Sequence, residues 1–386
     1  MKPKVRCFAT ILTLVYLIQT STTRAAEPKL EKVGSTYTWA QAASWLSLNQ
    51  FAVGRWDGTV TLFRPPVSDN KEFGPVLTQV LKTPSGQAIQ MLSRVAKDSF
   101  VTSNDDSSLA IWTWNESMYA LKGTAKYEAK FGVANCAEVI RAQGKQWLVT
   151  GHAEGYLLVW ELEGCNLRFN KEVNIRSDSP VPSKFPLWNV RSVVRQKGGM
   201  VVTCAEDGDV CLVEIPVGKV LTRIRYNPKA QRGINSLSIS GDYILLANCS
   251  VGPDDKNLWL YQIQDGRVKL LDSANLVKDT KRPQVFNFCV RFAPQDMDLF
   301  FFASTEEGLL WWGQISDEKI AVKGNEKIEC EGGGALTFEP EYGRLIVVAH
   351  AIHLYKLSET REEKEKAPNV TLPTTRRGLW HRRCDR

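Results

Sequence analysis

The run Trp147-Leu148-Val149-Thr150-Gly151-His152-Ala153-Glu154-Gly155-Tyr156-Leu157-Leu158-Val159-Trp160 constrains this chain more than any other. It reads as a strand, a tight acidic-glycine turn and a second strand ending in tryptophan. Apolar residues crowd both arms. The unit recurs. Versions of it run through Phe51-Ala52-Val53-Gly54 to Leu62-Phe63, Phe100 to Trp112, Met200 to Val213, Ile244 to Tyr261, Phe300 to Trp312 and Leu345 to Tyr355.

The closing residues Phe63, Trp112, Trp160, Val213, Tyr261, Trp312 and Tyr355 lie 49, 48, 53, 48, 51 and 43 residues apart. A period of this size, with strands alone, means propeller blades. A short strand precedes each unit, as in Ala43-Ser44-Trp45-Leu46-Ser47 and Val190-Arg191-Ser192-Val193-Val194. Another follows each unit except the last, as in Val76 to Leu81 and Val268-Lys269-Leu270-Leu271. The expected fold is therefore all-β, a seven-bladed β-propeller with four strands per blade. After Leu357 the chain is too charged to continue a sheet. The missing outer strand of the last blade is expected from Lys29-Leu30-Glu31-Lys32-Val33, which would close the ring and limit exposed edges.

Over about residues 29–357 the chain resembles the WD-repeat β-propeller family. The Asp-Gly or Glu-Gly turn and the terminal aromatic carry the likeness, and in that family an N-terminal strand often closes the final blade. The departures are large: no blade ends in Trp-Asp, Trp160-Glu161 comes closest, and Trp56-Asp57 lies in a turn. What the resemblance implies is the fold.

Three segments are expected: a signal peptide over 1–25, the propeller over 26–358 and a charged, disordered tail over 359–386. Lys2, Lys4 and Arg6 lead an apolar run from Cys7 to Ile18, followed by small residues up to Ala25 and Ala26. The run of about twelve residues is too short to span a bilayer. The chain is thus expected to be secreted or periplasmic, or cytoplasmic if this segment is not a signal. The net charge of +7 comes from the two ends, each contributing +4, so the body is near neutral. A nucleic-acid channel needs clustered cations, and the sequence of the body shows none. The Arg-rich end from Arg376 to Arg386 could touch anionic membrane, fold back on an acidic surface or merely solubilise. Cys204 and Cys211 flank the Asp207-Gly208 turn. They read either as a cross-hairpin disulfide or as two small buried side chains. No CxxC pair suggests structural zinc, and no cofactor is expected.

Blade strands alternate in direction, so the turn inside each unit and the linker into the next blade should emerge on one face. That face would carry Asp57, Asp105, Asp106, Glu154, Glu206, Asp207, Asp254, Asp255, Glu306 and Glu307. Two readings stand: turn chemistry alone, since Asp and Gly are turn formers, or a ring that docks a basic partner. Insertions at 177–188 and 250–256, in neighbouring blades, reach the same face, and Phe185, Trp188 and Trp56 are the aromatic anchors expected there. The candidate partner-binding residues are Trp56, Asp57, Asp106, Phe185, Trp188, Asp207, Asp254, Asp255 and Glu307. Trp188 also reads as core at the start of a strand. Trp112, Trp160 and Trp312 are expected between blades. Four histidines, with no GxSxG, Walker loop or HExxH, argue against an enzyme. The expected function is a monomeric, exported platform for another protein. The alternative is a small-ligand or enzymatic propeller with its site in the central channel.

Overall fold

The structure is a computed structural model. It describes residues 28–37, 40–66, 74–176, 188–227, 233–249, 256–278, 285–294, 299–328, 334–339, 343–348 and 350–359. The expected signal segment, the tail beyond Glu359, Phe185, Asp254 and Asp255 lie outside these residues.

The described chain forms twenty-eight strands. The first, β1 (Pro28–Tyr37), precedes the repeats. Blade 1 is β2 (Ala42–Ser47), β3 (Gln50–Gly54), β4 (Thr59–Arg64) and β5 (Val76–Lys82). Blade 2 is β6 (Ile89–Ala96), β7 (Ser99–Asn104), β8 (Ser108–Asn115) and β9 (Met118–Lys126). Blade 3 is β10 (Ala134–Ala142), β11 (Lys145–His152), β12 (Tyr156–Glu163) and β13 (Asn166–Asn174). Blade 4 is β14 (Val190–Gln196), β15 (Met200–Ala205), β16 (Asp209–Glu214) and β17 (Lys219–Arg225). Blade 5 is β18 (Ile234–Ser240), β19 (Tyr243–Asn248), β20 (Leu258–Gln264) and β21 (Arg267–Ala274). Blade 6 is β22 (Asn287–Phe292), β23 (Phe300–Thr305), β24 (Leu309–Ser316) and β25 (Lys319–Lys327). Blade 7 is β26 (Ala335–Phe338), β27 (Arg344–Val348) and β28 (Ala351–Glu359), and β1 pairs outside β28 as its fourth strand.

The core is divided into seven apolar clusters, each shared by two consecutive blades, including one between blades 7 and 1. The second and third strands of each blade are buried on both faces, as their unbroken apolar runs require. The fourth strands are largely exposed. On β1, Leu30 packs toward the cluster between blades 6 and 7 and Val33 toward the one between blades 7 and 1. Arg344 adds a clasp across the closure. It donates to Glu339 at 2.8 Å and to the Leu48 carbonyl, and lies 4.9 Å from the Trp45 ring centre.

Six blades carry a β-bulge in the fourth strand, opposite the step into the closing residue. The bulge corrects the repeat alignment. It falls before Phe63, Trp112, Trp160, Val213 and Tyr261, but in blade 6 it falls before Gly313. Gly313, not Trp312, is the equivalent position. One residue of slip reverses the side chain, so Trp312 packs toward blade 7 while Trp311 faces blade 5. A side chain at Gly313 would collide with the Phe301 ring, which fills the aromatic's place.

Turn length separates the two cysteines. Three residues, not two, lie between β15 and β16, so Cys204 pairs with Val210 and Cys211 with Thr203. Cys204 faces blade 5, Cys211 faces blade 3, and both are free thiols.

In blade 3 a polar chain runs inside this core. Trp160 Nε1 donates to Thr150 Oγ1 at 3.1 Å, Thr150 meets His152 Nε2 at 2.8 Å, and His152 Nδ1 meets the Gly132 carbonyl at 3.0 Å. Each buried polar atom thereby gains a partner. His152 is fully buried, and burial pushes its pKa down to about 4, against the pull of the Gly132 carbonyl. It is therefore neutral.

Candidate functional site

One hydrogen bond repeats in five blades and fixes which surface holds the turns. The carbonyls of Gly58, Ser107, Gly155, Gly208 and Gly308 accept from the amides of Thr83, Tyr127, Ile175, Tyr226 and Ile328, just past each fourth strand. The turn between second and third strands is thus tied to the linker into the next blade, on one face. Gly58 shows why glycine ends the turn. Its φ is +74°, and an added Cβ would fall 2.4 Å from the Gly86 carbonyl carbon.

The acids on this face are not equivalent. In blade 4, Asp207 is buried and accepts from the Asp209 amide at 3.0 Å. Glu206 is paired with Arg191. In blade 3, Glu154 pairs with Arg176 at 3.1 Å. Arg176 also lies over the Tyr156 and Trp188 rings, at 5.0 and 4.6 Å. Trp188 is therefore half-buried against a cation. Glu306 and Glu307 are half-buried, and Glu307 accepts from the Lys278 amide at 3.4 Å. Arg176 and Arg191 were missed in the sequence because each meets its acid only through the fold, from 22 and 15 positions away.

Blades 1 and 2 differ. Trp56 is 58% exposed, the one large exposed hydrophobic on this face among the described residues. Asp57, next to it in sequence, and Asp105 and Asp106 on the turn of the neighbouring blade are exposed. The Asp57 carboxylate accepts from the Thr59 amide at 3.0 Å and hydroxyl at 2.5 Å, and lies 3.6 Å from Arg55. Partial burial raises its pKa, but the Thr59 hydrogen bonds and Arg55 outweigh it, so the net shift is downward. The turn is pinned from below by Thr83, whose hydroxyl donates to the Gly58 carbonyl at 2.9 Å. The turn that carries the exposed Trp56 is thus anchored by hydrogen bonds on both sides of it.

No family model matches the chain, and no curated protein matches it. The fold and this geometry therefore carry the functional reading. Of the candidate residues, Trp56, Asp57 and Asp106 are exposed on the turns of two neighbouring blades, with Asp106 accepting from the Ser108 hydroxyl at 2.6 Å, whereas Trp188, Asp207 and Glu307 are buried or half-buried in intramolecular contacts.

The central channel is lined by the first strand of each blade. Neighbouring first strands are stitched by side chains: Ser192, Ser236 and Ser238 hydroxyls accept from the amides of Leu237, Val290 and Phe292 at 3.1, 3.3 and 2.9 Å. At the Ser238 position blade 3 has Glu138, which accepts from the Arg195 amide. Burial pushes the Glu138 carboxyl up to about 7, against the attraction of Arg195, the Val139 and Arg195 backbone amides and Arg291. Among the described residues no group of His, Cys, Asp or Glu is arranged to hold a metal.

Proposed function

We propose that this chain is an exported interaction platform that docks another protein on the turn-bearing face of blades 1 and 2. Trp56 is the observation that carries this reading. Leaving an indole in water forfeits about 2–3 kcal/mol of burial, and here it sits on a hydrogen-bonded turn. A rigid exposed aromatic loses little conformational entropy on binding, which is why such residues dominate interface energetics. Asp57, Asp105 and Asp106 form an acidic rim that fits a basic segment around an apolar pocket. Affinity capture with wild-type and Trp56→Ala protein tests this. A stoichiometric partner retained by the first and lost by the second supports it, and equal capture by both removes it. N-terminal sequencing of mature material tests export.

Glu138, Arg195 and Arg291 favour one other reading, a small anionic ligand in the channel. Calorimetry with a panel of carboxylates and phosphates separates the two, because such binding would be insensitive to Trp56→Ala.

A further inference from the structure

The sequence of the body scatters its cations, but the fold collects them. The seven outer strands carry fifteen Lys or Arg: two on β1, one on β5, two each on β9, β13 and β21, three each on β17 and β25. Against them stand four acids, Glu31, Glu172, Asp272 and Glu326. The propeller is thus polarised, with acidic turns on one face and a cationic rim.

Lysine on an exposed edge discourages strand pairing with other molecules, and that alone accounts for a few per edge. The arc of β17, β21 and β25 goes further. These outer strands adjoin one another, joined by Thr222 donating to the Gly266 carbonyl at 2.7 Å and by the Ile320 amide donating to Asp272 at 2.8 Å. The three strands therefore present one continuous surface. Lys219, Arg267, Lys269, Lys323 and Lys327 are exposed on it. Arg223 and Arg225 are engaged by the buried carboxylate of Asp209.

We propose that this arc binds a flexible acidic polysaccharide. The rim is convex, so a flat bilayer would meet one blade edge at a time, whereas a flexible chain follows all three. Single-stranded nucleic acid needs aromatic platforms for its bases, and β17, β21 and β25 contain no aromatic residue. Their exposed apolar side chains are aliphatic: Leu221, Leu270 and Val322. Repeated sulfate or carboxylate groups need only the cations and release counterions on binding.

The test is titration of the full chain with a size-defined heparin fragment at several salt concentrations. Binding is expected to weaken on the order of 100-fold between about 50 and 200 mM salt, as roughly four to five ionic contacts require. The variant Lys219→Gln, Arg267→Gln, Lys269→Gln, Lys323→Gln, Lys327→Gln is expected to lose a similar factor and flatten the salt dependence. Replacing Arg376, Arg377, Arg382 and Arg383 by Gln is expected to cost only a few-fold. The double variant Lys269→Gln, Lys327→Gln, with its thermal melt, serves if the fivefold one does not fold, and should still reduce the salt slope. The proposal is overturned if arc variants bind heparin normally or if the tail variant abolishes binding. Equal affinity for oligothymidylate or for phosphatidylserine vesicles also overturns it.

Discussion

Trp160 and Trp56 are each followed by an acid, and the fold treats them in opposite ways. Trp160 is 2% exposed, hydrogen-bonded to Thr150 and packed between blades 2 and 3. Trp56 is 58% exposed on a turn held by Asp57, Thr59 and Thr83. The acids differ likewise: Glu161 is held by Lys145 at 2.5 Å and by Arg168, whereas Asp57 caps its own turn. A tryptophan followed by an acid is thus core inside a strand and solvent-exposed on a turn. What separates them is position relative to the bulge and the turn.

Trp160→Ala breaks the comparison hardest. Emptying a buried indole site should cost roughly 3–5 kcal/mol, read as a lower midpoint in urea. It would also leave Thr150 without its donor. A near-wild-type midpoint would mean that Trp160 is not interior. Trp312→Ala should cost less, about 2 kcal/mol, because Trp312 is half-buried and faces the other way. Equal losses at the two positions would contradict the register set by Gly313.

Next in size is pH. His152 has a folded pKa near 4, against 6.5 unfolded. Below 6.5 the unfolded chain takes a proton that the folded chain refuses. Stability therefore falls as pH drops from 6.5 to 4, by up to about 3 kcal/mol. Glu138 acts in the reverse sense: its raised folded pKa, about 7, favours the folded state increasingly as pH falls from 7 toward 4.5. The two slopes oppose each other between 4.5 and 6.5. Urea melts across this range should be nearly flat for these groups in the wild type. His152→Gln should gain stability on acidification, and Glu138→Gln should lose it. Parallel profiles for the two variants would contradict the assignment.

The blades and the closure by the N-terminal strand could be read from residues because burial on both faces leaves an apolar run at a fixed period. Register could not. Trp312 and Gly313 differ by one position, and only pairing with β25 shows which residue occupies the aromatic's place. The acidic face was half legible. Turn acids sit in a recognisable local pattern, but Arg176 and Arg191, which neutralise two of them, come from distant segments. For the same reason the cationic rim was hidden: its members recur once per blade and meet only when the blades are stacked.

The smallest effect on stability should be the most informative about function. Trp56→Ala removes a side chain that buries little, so its unfolding midpoint should move by no more than about 0.5 kcal/mol. Affinity for a docked partner should fall at least about tenfold, near 1.4 kcal/mol. Asp57→Asn is the companion: it removes the charge but keeps the acceptor for Thr59. The turn should survive, and partner association should slow and lose salt sensitivity, because rim charges act mainly on encounter. If Trp56→Ala destabilised the fold as much as Trp312→Ala, the turn would be part of the core and the platform would have to lie elsewhere. A stable Trp56→Ala protein that binds as before would instead show that the indole is exposed without being used.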